Sequence, residues 1–234
     1  MPYTVCIEIA GPLAMFARPD TGGTPTSYPV PTWSACKGIF ESVLLFRSGD
    51  AWARPTRVEV CRPIGAQGGE VRFQRYTTNY GGPLRKGSQL SQGSSFQLFA
   101  TVLANVCYRI HGVVEGRARA TLDSKNGNNP RHEYQERFAR YLEQGRCHRT
   151  PCLGWSEFTA WYWGPFRDGR DGRPAVTELD AELSLRLPSL LRTVFEQPVS
   201  PDGGGKYQPR FDYEMAVIGG TLKFEPNAEV SPAS

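Results

Sequence analysis

NNPRHEYQERFARYLEQGR, residues 128–146, has the marks of an amphipathic helix at both ends and along one side. Asn129 is a capping residue type, and Pro130 suits the first helical position, where its missing N–H leaves no bond unmade. Gly145 suits a left-handed stop. Between these limits Tyr134, Phe138, Tyr141 and Leu142 recur at helical spacing and form one apolar stripe. Glu133–Arg137 and Glu136–Arg140 are i,i+4 pairs with the acid first, the more favourable order. The N–H groups of a helix's first turn have no intrahelical partner and favour an anion. Arg131 and His132 lie in that turn, so a cation, a proton carrier and a helix N-terminus coincide. That grouping suits phosphodiester chemistry; a solvent-facing histidine in a salt-bridged helix is the alternative.

On the N-terminal side, FQLFATVLANVCYRIHGVV (residues 96–114) is long and apolar and alternates towards its end, which predicts a strand pair or one long bent strand. His111 lies within it. On the C-terminal side, HRTPCLGWSEFTAWYW (148–163) ends in an alternating aromatic strand. Further back, TVCIEIA (4–10) reads as a first strand, and residues 32–46 of PTWSACKGIFESVLLF as a helix capped by Thr32 or Ser34. Gly38 in mid-helix costs about 1 kcal/mol relative to alanine, which points to close packing or close backbone approach. RPTRVEVCRPI (54–64) and VRFQRYTTNY (71–80) read as strands, followed by a glycine- and serine-rich loop with Arg85 and Lys86 at its centre. The order strand, helix, two or three strands, helix, strand is the split β-α-β pattern. The expected class is therefore α+β: a ferredoxin-like domain over residues 1–163, of the type that RNA-recognition modules use. GPFRDGRDGRP (164–174) breaks the pattern, and the short strand candidates after it predict a small β-rich C-terminal domain over 164–234.

Composition narrows the function classes. The 234 residues carry 27 Lys+Arg against 23 Asp+Glu, a formal charge of +4. Most of the bases are arginine, whose planar fork matches phosphate geometry; a GC-rich coding bias gives the same enrichment. No run of 18 apolar residues is present, no secretory leader is expected, and six scattered cysteines suit free thiols in a cytoplasmic protein. Cys147, His148 and Cys152 lack a second paired half and a fourth ligand, so neither a structural zinc nor any other cofactor is expected. No carboxylate cluster with two-metal spacing appears either.

Several pieces taken in order carry a resemblance. They are IEIAGPLAMFARP (7–19), YPVPTWSACKGIFESV (28–43), RVEVCRPI (57–64), YRIHGVVEG (108–116) and NNPRHEYQERFARYLEQGRCHRTPCLGWSEF (128–158). Together they resemble the Cas5 family of CRISPR-associated proteins in its subtype I-C form, over nearly the whole chain and most of all over residues 1–163. The resemblance implies a metal-independent endoribonuclease that cuts repeat hairpins in precursor guide RNA (crRNA) and stays on the 5′ handle inside the surveillance complex. Its implied partners are the RNA, the complex's backbone and large subunits and, indirectly, target DNA, with no membrane.

The family's cutting site is attributed to a tyrosine on the first helix and a lysine–histidine pair opening the second. Here the pair falls on Arg131 and His132, and the tyrosine position on Leu44, which can neither give nor take a proton. Tyr76, Tyr80, Tyr108 and His111 are the candidates for that missing role. Lys37, Arg85, Lys86 and Arg18 are the candidate RNA contacts. A handle-binding subunit that does not cut, and an unrelated RNA-binding module or enzyme on a ferredoxin-like fold, are the other readings.

Overall fold

The computed structural model describes residues 2–46, 49–80, 96–116, 129–193 and 209–224, with the side chains of 78–80 and 96 left out of the description. In chain order the elements are β1 (Thr4–Ala14), α1 (Trp33–Val43), β2 (Ala51–Pro63), β3 (Phe73–Tyr80), β4 (Phe96–Gly116), α2 (Pro130–Glu143), β5 (Tyr162–Gly164), β6 (Thr177–Leu179), β7 (Leu185–Thr193), β8 (Arg210–Ile218) and β9 (Thr221–Lys223). The strands form one curled antiparallel sheet in the order β5-β1-β4-β2-β9-β8-β7, with β3 on the outer part of β4 and β6 on the end of β2. Strands β7, β8 and β9 thus continue the same hydrogen-bonded sheet, joining it through β9 on β2, while β6 pairs with β2 directly.

The apolar run at 96–116 makes one strand of 21 residues, not two. Its first part pairs with β3, from Tyr80↔Phe96 to Phe73↔Leu103, and its second part with β1, from Ala14↔Leu103 to Thr4↔Val113. The two parts overlap at Leu103, and two residues further on Asn105 has φ +53°, a left-handed value rare outside glycine. Gly11 pairs with Val106 and Leu13 with Ala104, so Pro12 lies opposite Asn105 and has no N–H to give the ladder. A local break in the pleat costs least there.

Alternation then sorts the side chains into two faces. Ile7, Ile9, Val58, Tyr108 and Ile110 point into a core closed by the helices. Thr32 caps α1 by accepting the Ala35 N–H, and the helix stops at Val43, three residues short of its expected end. Leu44 is already extended there, at φ −140° and ψ 117°. The expectation for Gly38 fails: a Cβ there would meet nothing within 4 Å. The close approach is made instead by Gly112 of β4, where a Cβ would stand 2.8 Å from the Phe40 ring. Helix α2 buries Tyr134, Phe138 and Leu142, and Phe138 meets Phe40 edge-on with ring centroids 5.7 Å apart. Gly145 ends α2 at φ +63°, as its position implies.

The other face carries charge. Glu8 is completely buried and accepts from Arg109 Nε (3.1 Å), Arg167 Nε (2.7 Å), Arg167 N (3.0 Å) and Thr177 Oγ1 (3.0 Å). Arg109 Nη2 also donates to the Thr177 carbonyl and hydroxyl, each at 2.9 Å. This network ties the segment around Arg167 and Thr177 onto the back of β1 and β4. Glu8→Gln keeps the shape but removes the carboxylate that two guanidinium groups share, leaving Arg109 only the longer contact to Asp168 at 3.9 Å. We expect a loss of about 3–5 kcal/mol of stability in urea denaturation.

Candidate active site at the start of the second helix

The first turn of α2 is built by the residues beside it. Asn129 Oδ1 accepts the Arg131 N–H at 3.1 Å, and Pro130 opens the helix. With Oδ1 committed as acceptor, the amide's Nδ2 faces the Tyr3 hydroxyl at 3.2 Å. Tyr3 precedes β1, and its carbonyl accepts the Val114 N–H at 2.8 Å, so the end of the β1–β4 ladder carries it. Its ring stands beside the His132 imidazole, with centroids 5.8 Å apart and planes tilted by 46°. His132 is about half exposed, at 54% for the side chain, and its Nε2 lies 3.1 Å from Glu136 Oε1. A carboxylate only accepts, so Nε2 carries a proton and Nδ1 is the nitrogen left to take one.

The Glu136 contact corrects an expectation. The sequence pairs Glu136 with Arg140, four residues on, whereas the structure turns it back to His132, four residues before. Helical side chains lean towards the N-terminus, which favours the backward partner when both are available. Glu133–Arg137 forms as expected, at 2.6 Å. The Arg131 stem passes Gly116, where a Cβ would stand 3.2 Å from Arg131 Cγ. Arg131 Nε is buried without a hydrogen-bond partner among the described residues.

The other sequence candidates do not gather here. Tyr108 is buried in the core, and burial pushes its phenol well above the ordinary tyrosine range. Tyr76 belongs to an aromatic cluster with Phe158 (5.0 Å) and Trp155 (6.4 Å). His111 points to the charged face, where its Nε2 lies 3.0 Å from Glu59 Oε1, and that contact holds the Glu59 carboxyl below its usual range. The Tyr80 backbone pairs with Phe96, and its side chain is outside the described residues. Leu44 is buried, and its carbonyl accepts the Tyr134 hydroxyl at 2.9 Å.

Among the proposed RNA contacts, Lys37 is buried and paired with Glu41 at 2.6 Å, so its ammonium is not presented to a phosphate. Arg18 is exposed but engaged by both oxygens of Asp20, at 3.1 and 2.7 Å. Arg85 and Lys86 lie outside the described residues. Sequence reasoning missed Tyr3, which no local pattern links to a histidine 129 positions later. It also missed a cleft of about 340 Å³ on the helix-free face, lined by Cys61, Arg62, Cys107, Trp161 and Arg167.

The sequence profile of the CRISPR-associated protein (Cas_Cas5) family matches residues 4–225. The chain belongs to the Cas5 family. It is similar to the "CRISPR pre-crRNA endoribonuclease Cas5d" of Thermus thermophilus, at 30% identity over 166 residues. That match covers 71% of this chain and 66% of the relative, just under two-thirds of its length. The protein of the same name from Mannheimia succiniciproducens is 28% identical over 213 residues, covering 86% of this chain and 89% of its own. Two solved structures share the fold: one described as a CRISPR-associated protein (TM-score 0.64, 14% identity, 98% of this chain and 96% of that one) and a functionally uncharacterized protein from Streptococcus mutans (TM-score 0.63, 16% identity, 97% and 94%).

The buried phenol that clamps α2 to Leu44 carries a consequence for pH. Burial raises the Tyr134 phenol above its ordinary range, so the unfolded chain loses that proton first. Stability is then fully present below the unfolded-state value, about 10, and is lost as pH rises beyond it. Unfolding curves between neutral and strongly alkaline pH should steepen above that point. Tyr134→Phe should flatten this alkaline loss while costing about 1 kcal/mol at neutral pH for the missing hydrogen bond.

Proposed function

We propose that this Cas5 protein is a metal-independent endoribonuclease that cuts CRISPR repeat hairpins in precursor crRNA and remains on the 5′ handle as a subunit of a surveillance complex in the cytoplasm. The observation that carries the reading is the exposed His132 imidazole at the start of α2, oriented through Nε2 by Glu136. The shared name of the two relatives supports it. The RNA supplies its own nucleophile. His132 Nδ1 takes the proton of a 2′-hydroxyl, the 2′ oxygen bonds to the adjacent phosphorus, and the P–O5′ bond breaks. The products are a 2′,3′-cyclic phosphate and a 5′-hydroxyl. Arg131 and the His132 N–H, the first-turn N–H that Asn129 does not take up, stabilise the negative charge on the phosphoryl oxygens.

The fold reading goes with it: a ferredoxin-like unit over residues 1–163 and a small β-rich addition over 164–234. The strand order β5-β1-β4-β2, with α1 and α2 as the two crossovers, supports the first part. Repeat RNA, the complex's backbone and large subunits and, through the guide, target DNA are the proposed partners. A second reading, a handle-binding subunit that does not cut, is favoured by Leu44, which is buried and bears no ionisable group.

Repeat-hairpin RNA incubated with purified protein in EDTA separates the two. Under the first reading, wild type yields a cyclic-phosphate 5′ fragment, and His132→Ala slows its formation by about 100-fold or more while the RNA stays bound. Tight binding by the wild type without product would leave the second reading.

A further inference from the structure

The reaction above needs a second proton. The leaving O5′ departs as an alkoxide unless an acid protonates it, and an imidazole that has just taken the 2′ proton on the opposite side of the phosphorus is poorly placed to do so. Resting on the nuclease reading, we propose that Tyr3 is the general acid of this site: its phenol gives the proton to O5′ as the P–O5′ bond breaks.

Three observations converge on Tyr3. Among the described tyrosines and histidines, it is the one in ring contact with His132. Its hydroxyl has a defined polarity: because Asn129 Oδ1 caps the Arg131 N–H, Nδ2 must be the donor to the phenol oxygen. That bond uses the oxygen as acceptor and leaves the O–H free to donate to something outside the protein. The third observation is what the other phenols do. The Tyr134 O–H is spent on the Leu44 carbonyl, and Tyr108 is sealed in the core. Tyr76 packs against Phe158 and Trp155 rather than against α2.

Protons balance around the cycle. His132 gains the 2′ proton and becomes imidazolium, and Tyr3 loses its proton to O5′ and becomes phenolate. Transfer from the imidazolium to the phenolate, directly or through one water, restores both groups. No metal, oxidant or other co-reactant is required. The same bond explains why the acid stays in place: Asn129 holds the phenol oxygen and caps α2 at once, so the phenol moves with the helix that carries the base.

The test is single-turnover cleavage of repeat-hairpin RNA in EDTA by wild type, Tyr3→Phe, His132→Ala and a protein carrying 3,5-difluorotyrosine at position 3. Tyr3→Phe keeps the ring and the backbone bond to Val114, so circular dichroism and RNA affinity should match wild type while cleavage falls by about 100-fold or more. Difluorotyrosine is a stronger acid of nearly the same shape. It should move the alkaline limb of the rate profile to lower pH, which a ring with only a packing role would not do. If wild type cuts, His132→Ala does not, and Tyr3→Phe cuts at the wild-type rate, the assignment of Tyr3 is overturned and the nuclease reading stands. An unmoved alkaline limb in the fluorinated protein overturns it as well. If wild type binds without cutting, the nuclease reading falls and takes this role with it.

Discussion

Strand β4 lies between β1 and β2, and its antiparallel register with both assigns every side chain along it to one of two faces. One face receives Tyr108 and Ile110 and is closed by α1 and α2. The other receives Arg109, whose charge is balanced by Glu8 from β1 at 3.1 Å and, further off, by Asp168 at 3.9 Å. Burying an ion pair is expensive unless its remaining hydrogen-bonding capacity is filled. Arg167 and Thr177 fill it, which draws the later part of the chain across the back of the sheet. The C-terminal strands then extend the sheet from β2 through β9.

The same register creates the candidate site. Tyr3 lies one residue before β1 and is anchored by the Val114 N–H near the end of β4. Helix α2 packs over these strands through Tyr134, Phe138 and Leu142, all from its second turn onward. Its first turn carries no such anchor, so His132 is exposed there while the Arg131 stem runs back along Gly116. The apolar anchors hold the helix axis, and the polar first turn is left to solvent and to ligand. The end of the β1–β4 ladder and a helix start meet there, and Asn129 joins them with one side chain.

Charged residues on a helix distribute themselves by what lies within reach. Glu136 has a possible partner four residues away in each direction and takes the histidine, which converts an expected surface ion pair into an orienting contact for the imidazole. Lys37 shows the reverse case. Helical spacing puts it beside apolar residues, and it is drawn into the buried face with Glu41 as its counter-ion. Its long aliphatic stem makes that burial tolerable.

Alternation and caps made most of the elements legible from the chain alone. The strands at 4–10, 54–64 and 71–80, and the helix from Asn129 to Gly145, depend on local periodicity and on capping atoms a few residues away. The placement of Arg131 and His132 together was legible for the same reason, because both sit in one recognisable helical turn. Tyr3, the backward turn of Glu136 and the burial of Lys37 were not. The first is a contact between residues far apart in the chain, and the others depend on which side of a helix meets the core and which neighbour reaches first. The face a strand presents follows from its residues. Which distant side chain meets it follows only from how the sheet is ordered and where the helices cross it.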